Sequence, residues 1–317
     1  MSLIFEERGE AGVINTHVQH FLDSLETDPD SLEGLSPDEI RSAPAPVSAY
    51  EIPALPVLVE DVSFKAREGQ EIFLRVYRKN KANTQAPMVF FHGGCWVFCS
   101  IDSHDPICRK LAYDNDMTVI SVGYRLAPEH PFPRGVQDAY DAVQWIDQNR
   151  KELNLDASAI TLCGDSAGAN ICIAISHMVA ENPQVTLAAQ ILFYPITDVS
   201  SMNTQSYQKF AKNHFLTADL MQYASNHYLP QASDRSHHLV SPLHSKQLAS
   251  QPKTLILSAE FDVLRDEGEA FAQKLAKAGV NTRCLRYNGL IHAFAAIAGK
   301  IPLALSSFED INEFIKE

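Results

Sequence analysis

The chain has 317 residues, 45% of them apolar and 21% charged, with a formal net charge of −13. That make-up is ordinary for a soluble globular protein and allows one large domain or two small ones. Ten acids in residues 1–50 face only Arg8 and Arg41; so acidic a balance repels phosphate backbones and anionic bilayers, which argues against nucleic acid and membrane as partners.

The start MSLIFEERGE has neither the basic n-region nor the apolar h-region of a signal peptide. No run approaches the roughly 18 apolar residues that span a bilayer. Cys95, Cys99, Cys108, Cys163, Cys172 and Cys284 form no regular framework, so reduced thiols in a cytoplasmic protein are the expectation. Cys95 and Cys99 make a C-x3-C with no second pair, and no metal is expected there.

In chain order, residues 1–50 predict one helix around Ile14–Leu25 and then a loop rich in acids and prolines. VSFKAREGQEIFLRVYR predicts a hairpin, two alternating runs about Glu68-Gly69-Gln70. Short apolar runs then alternate with helical patterns. PMVFFHGG precedes a helix near Asp105–Asp114, MTVISVGYR precedes Val136–Leu153, and AITLCG precedes Ala167–Glu181. AAQILFYP follows, then TLILSAE before Asp266–Ala278, and TRCLRY before Leu303–Lys316. Such alternation predicts an α/β protein, a mostly parallel central sheet with helices on both faces. Between Pro195 and Lys253 no strand is predicted, only polar helical stretches such as LTADLMQYASNHYL. Thr197–Ser250 is therefore an excursion from the sheet, placed with the N-terminal segment as a helical cap over the strand ends, where such sheets bind ligands.

The predicted strand Ile160–Cys163 must turn sharply into the helix that starts at Ala167. Gly164-x-Ser166-x-Gly168 at that junction has the pattern of a nucleophile elbow: glycines for close packing, and a serine hydroxyl held above the sheet. The pattern occurs by chance in about one chain in ten of this length; the strand before it and the helix after it carry the weight. A serine needs a base, and in this arrangement the partners follow in the order serine, acid, histidine. Of the later histidines, His177 lies inside the helix after the elbow and five fall in the excursion, whereas His292 sits after a strand and before the last helix. Asp262 directly follows TLILSAE. The expected catalytic set is Ser166, Asp262 and His292. Asp165 is read as structural, Asp266 and Glu267 as helix-opening acids that suit the dipole, and His237 and His238 as solvated. The glycine turn of FFHGGCW predicts an oxyanion hole built from the N–H groups of Gly94, Cys95 and Ala167, with His92 and Gly93 as motif support.

With HGG (from His92), YRLAPEHPFP (Tyr124–Pro133), GDSAGAN, AEFDVLRDEG (Ala259–Gly268) and GLIHAF in order between about Pro87 and Phe294, the chain resembles the hormone-sensitive-lipase family of esterases, bacterial family IV, of the α/β-hydrolase superfamily. GDSAGA and HAF look most like its acetyl esterase branch. Two positions depart from the family pattern: Cys95 stands at the third glycine of HGGG, and Val263 at the proline of Asp-Pro-Leu. The resemblance implies an α/β-hydrolase fold with a helical cap, hydrolysis of short-chain acyl esters, no cofactor, a small-molecule ester substrate and, in some members, a homodimer. The expected organisation is an N-terminal cap segment over residues 1–50 and a catalytic domain over 51–317 with a cap insertion at about 197–250. In YRLAPEHPFP, Arg125 and Glu129 are expected to brace the loop. Two other readings stay open: an amide or formamide hydrolase with the same triad, and a small-molecule receptor on the hydrolase fold, against which the presence of His292 argues.

Overall fold

A strand that is apolar on both sides must be covered on both faces, and the strand interiors here obey that rule. The computed structural model describes residues 3–25, 35–42, 47, 50–80 and 83–317. Its elements run β1 (Ile4–Arg8), α1 (Thr16–Asp23), α2 (Pro37–Ser42), β2 (Leu58–Lys65), β3 (Glu71–Arg78), β4 (Pro87–Phe91), α3 (Asp105–Asn115), β5 (Thr118–Gly123), α4 (Arg134–Gln148), β6 (Ile160–Asp165) and α5 (Ala167–Glu181). They continue with β7 (Leu187–Phe193), α6 (Gln205–Phe210), α7 (Ala218–Tyr228), β8 (Lys253–Phe261), α8 (Arg265–Lys277), β9 (Thr282–Ile291), α9 (Pro302–Leu305) and α10 (Ser307–Lys316).

The strands form one nine-stranded sheet in the order β1-β9-β8-β7-β6-β4-β5-β3-β2. Pairing is parallel except for β3 with β2 and with β5. Alternate residues of the inner strands enter opposite cores, as the pleat requires. Val89, Phe91, Leu192 and Ile256 pack with α4, α5 and α8. Met88, Phe90, Ile191 and Leu257 pack with α1, α3 and α10.

The chain leaves β4 through α3 toward β5 and leaves β6 through α5 toward β7, on opposite sides. β4 and β6 are neighbours, with Phe91 opposite Gly164. Their carboxyl ends therefore flank a switch point, the place where an open parallel sheet opens a crevice. His92 and Ser166 both lie just past these ends.

Two features of the N-terminal segment differ from the sequence expectation. β1 is a strand, parallel to β9, and adds to the sheet edge. It is mostly exposed and is held partly by charge, with Arg8 to Asp310 at 2.9 Å and Arg283 to Glu6 at 3.3 Å. α2 lies where a loop was expected. Its start is a capping box: the Ser36 hydroxyl accepts the Glu39 N–H, and the Glu39 carboxylate accepts the Ser36 N–H. The excursion carries α6, α7 and short 3-10 turns, with no strand among its described residues. Thr204 and Thr217 cap its two helices.

Candidate active site

β6 turns directly into α5 at Ser166, whose backbone adopts φ 55° and ψ −117°. A non-glycine residue there is strained by about 1–3 kcal/mol and is kept only where the surroundings impose it. The imposition is visible. The Ser166 N–H donates to the Phe193 carbonyl at 2.9 Å, and a Cβ on Gly168 would overlap the carbonyls of Phe91 and His92. The turn can close against β4 only with glycine at 168.

His292 follows β9 and Asp262 follows β8, two strands paired in parallel. The structure brings all three side chains together. His292 Nδ1 lies 2.7 Å from Asp262 Oδ2, and Nε2 lies 3.0 Å from Ser166 Oγ. An ionised carboxylate only accepts, so Nδ1 carries the proton and Nε2 is free to accept from the serine. The second Asp262 oxygen accepts the Leu264 N–H at 2.9 Å. All three side chains are buried, and the Tyr194 ring packs on the imidazole with centroids 4.6 Å apart.

Facing Ser166 is the turn after β4. The Gly94 carbonyl accepts the N–H groups of Val97 and Phe98 at 3.0 and 2.7 Å. Gly94, Cys95 and Trp96 all have positive φ, at 101°, 52° and 61°. No described residue accepts the N–H of Gly94 or of Cys95. His92 explains part of that orientation. Its Nδ1–H donates to the Gly93 carbonyl at 2.8 Å; in a planar trans peptide the Gly94 N–H then points the opposite way. Burial, with His104 nearby, lowers the His92 pKa to about 4, so the ring is neutral. It stacks on Tyr124 at 4.5 Å, whose hydroxyl donates to the His92 carbonyl.

Asp165 is buried behind this turn. Its Oδ1 accepts the Gly93 N–H at 2.7 Å and lies 3.1 Å from His104 Nε2. Burial alone would raise its pKa, but His104, the Gly93 N–H and His92 outweigh that and hold it below the ordinary carboxylate value.

The Cys95 thiol does not face the site surface. It is 5% exposed, and its Sγ lies 3.9 Å from Met221 Sδ on α7. Next to it the Trp96 ring stacks on Tyr228 of the same helix at 4.4 Å and 7°. α7 of the excursion thus packs against the turn.

Other sequence expectations fall into place. Arg125 pairs with Asp138 at 2.7 Å, whereas Glu129 pairs with Arg41 of α2 at 2.7 Å, a partner the sequence did not suggest. Glu267 is more than a helix-opening acid: it is buried and accepts the N–H groups of Thr197 and Asp198 at 2.7 and 3.0 Å, anchoring the start of the excursion. His237 and His238 are half-buried and stacked on each other at 4.6 Å, not freely solvated. Among the described residues, no group of His, Cys, Asp and Glu is arranged to hold a metal ion, and no helix is long and apolar enough to cross a membrane.

A family model described as the α/β-hydrolase fold matches residues 88–296. The chain is 36% identical over 258 residues to an arylesterase of Saccharolobus solfataricus, covering 81% of this chain and 83% of that protein. It is 33% identical to an ethyl acetate hydrolase of Pseudomonas putida, covering 75% and 76%. Among solved structures, a thermostable esterase from Pseudomonas putida superposes with a TM-score of 0.89 at 32% identity, covering 96% of this chain and 98% of that one. A hyperthermophilic esterase from Pyrobaculum calidifontis gives 0.85 at 32% identity, covering 96% and 98%. With this fold, these motifs in order and relatives of this kind, the chain belongs to the α/β-hydrolase family, among its hormone-sensitive-lipase-type carboxylic ester hydrolases.

Proposed function

We propose that the chain is a serine carboxylesterase that hydrolyses short-chain acyl esters, acetyl to butyryl, through an acyl-enzyme. The observation that carries the reading is the hydrogen-bonded line Ser166–His292–Asp262, beside a turn whose Gly94 and Cys95 N–H groups no described residue accepts. His292 Nε2 takes the Ser166 proton as Oγ attacks the ester carbonyl. Asp262 fixes the tautomer and stabilises the imidazolium. The N–H groups of Gly94, Cys95 and Ala167, the last at the N-terminus of α5, receive the oxyanion. The imidazolium gives its proton to the departing alkoxide. Water, deprotonated by the same imidazole, then cleaves the acyl-enzyme and restores Ser166.

The short-acyl reading rests on the motif resemblance and on a relative that acts on ethyl acetate by its name. In this reading residues 1–50 and 197–250 form the cap and the remainder of 51–317 the catalytic body. Six free cysteines, five of them buried, fit a reducing cytoplasm.

The test is a panel of nitrophenyl esters and anilides of graded acyl length, run on wild type and Ser166→Ala, with intact-mass detection of the acyl adduct. Turnover of acetyl and butyryl esters, an adduct on wild type and none on the variant are expected. Faster turnover of anilides than esters, or of palmitoyl than butyryl esters, overturns the substrate class; a folded and active Ser166→Ala overturns the nucleophile.

A further inference from the structure

The turn that presents the proposed oxyanion donors is intrinsically strained. Cys95 and Trp96 both sit in the left-handed region, which disfavours side-chain-bearing residues by roughly 1–2 kcal/mol each. Such a turn needs holding from outside. One end is held by Asp165 at the Gly93 N–H. At the other end the Trp96 carbonyl accepts the Ala127 N–H at 3.0 Å, and one guanidinium gathers up the rest.

That guanidinium is Arg41. Its Nε–H donates to the Val97 carbonyl at 2.8 Å, and Nη2–H donates to the Ala127 carbonyl at 2.6 Å. Its two terminal nitrogens meet the two Glu129 oxygens at 2.7 and 2.9 Å, fork to fork. Asp38, one turn back on α2, accepts at 3.1 Å. Arg8 and Arg41 are the only Lys or Arg residues before position 51, and one of them, Arg41, is thus spent on the carbonyl of Val97, the residue whose N–H closes the turn onto Gly94. Its carboxylate partner comes from YRLAPEHPFP, the one motif without a part in the chemistry. A planar fork with five donors suits this mixture of carbonyls and carboxylate, and a lysine does not reproduce it.

We propose that Arg41 is a positioning residue for ester hydrolysis: it fixes the Gly94 and Cys95 N–H pair through the Val97 carbonyl, and Glu129 serves to hold Arg41 in place. The N-terminal segment then sets the geometry of the oxyanion hole as well as covering the site. The proposal rests on the oxyanion assignment made above. Partly exposed ion pairs contribute little to stability, about 0–1 kcal/mol, so Arg41 is expected to matter more for the rate than for the fold.

The test uses the full chain, as wild type, Arg41→Gln and Glu129→Gln, with nitrophenyl butyrate as substrate and an alkyl trifluoromethyl ketone as a probe whose hemiketal oxyanion occupies the hole. For Arg41→Gln, kcat is expected to fall roughly 10- to 100-fold, the scale of a misplaced catalytic group. KM should stay within about threefold, as for an interaction made mainly in the transition state. Affinity for the ketone should fall in proportion to kcat. Glu129→Gln should move the same quantities in the same direction by less, and it carries the test alone if Arg41→Gln does not fold. Variants that match wild type in kcat and ketone affinity per folded molecule, whatever their melting temperature, overturn the proposal. Wild type that forms no ketone adduct instead overturns the oxyanion assignment beneath it.

Discussion

The Asp165 carboxylate and the Gly93 N–H meet at 2.7 Å, tying the residue before Ser166 to the first glycine of the HGG turn. Serine and turn therefore cannot drift apart independently. Asp165→Ala leaves that N–H and His104 without their acceptor; each unsatisfied buried group costs about 1–3 kcal/mol. A lowered unfolding free energy is expected, with kcat reduced roughly 10- to 100-fold by displacement of the turn. Asp165→Asn keeps one acceptor oxygen and should lie closer to wild type. Because the folded pKa lies below the ordinary 3.8, this contribution is complete above that value and is lost only as pH falls through the lower folded one. Denaturant titrations and steady-state kinetics on both variants check it.

Asp262→Asn should keep the fold, since the side-chain carbonyl can still accept the Leu264 N–H. Its amide cannot hold the productive imidazole tautomer, and kcat should fall by roughly 10^4, as in the serine-protease case where this was dissected. A loss below tenfold would remove Asp262 from the proposed triad.

Much of this arrangement was legible in the sequence for a physical reason. Strands buried on both faces are continuous apolar runs, and strand order in an open parallel sheet leaves few places for Ser166, Asp262 and His292. The same reasoning failed on β1 and α2. β1 is an exposed edge strand whose pairing rests on β9 and on ion pairs from distant parts of the chain, and its apolar residues, Ile4 and Phe5, are adjacent and followed by three charges, so it shows neither a continuous apolar run nor strand alternation. α2 is short, but SPDE at 36–39 is a capping box with a proline at the first helical position, a signal present and not used. Glu129's partner was invisible because it lies 88 positions away. The direction of the Cys95 side chain follows from the left-handed backbone of the turn and from packing on Met221, 126 positions away, which no local residue pattern reports.

The Cys95 thiol is buried, and burial pushes its pKa up to about 12. Thiol reagents act through the thiolate, so Cys95 should resist them in the native protein, although it stands in the turn. Cys99 is the one exposed cysteine. Its own pKa is also pushed up, to about 11, so a maleimide is expected to label Cys99 slowly but ahead of the buried cysteines and to leave esterase activity standing, and Cys99→Ser should take up none until denatured. Inactivation that tracks modification of Cys95 in peptide maps would show the α7 packing against it to be open.

Glu267 gives the opposite pH sign from Asp165. Burial raises its pKa well above the ordinary 4.5, against the two N–H groups it accepts. A raised folded pKa means the native state binds the extra proton, so this side chain's contribution is present below 4.5 and declines as pH rises through the folded value. Glu267→Gln stays uncharged while keeping an acceptor for Thr197 and Asp198. Its stability relative to wild type should improve as pH rises above the ordinary carboxylate value, until the raised folded pKa is passed. A constant or reversed difference in chemical denaturation across that range would refute the assignment.

The parallel pairing of β1 with β9 has a consequence for how the molecule is built. Ile4 lies opposite Arg283, so a strand that precedes every other described element finds its place only beside the last strand of the sheet. On a ribosome, β1 waits unpaired while all the intervening layers are synthesised and collapse. Contacts of such sequence separation form late, because closing so long a loop is entropically unfavourable until most other contacts exist. β1 is thus a completion strand: it seals the β9 edge after the rest of the sheet is made. Until it docks, that edge is an open template for pairing with another nascent chain.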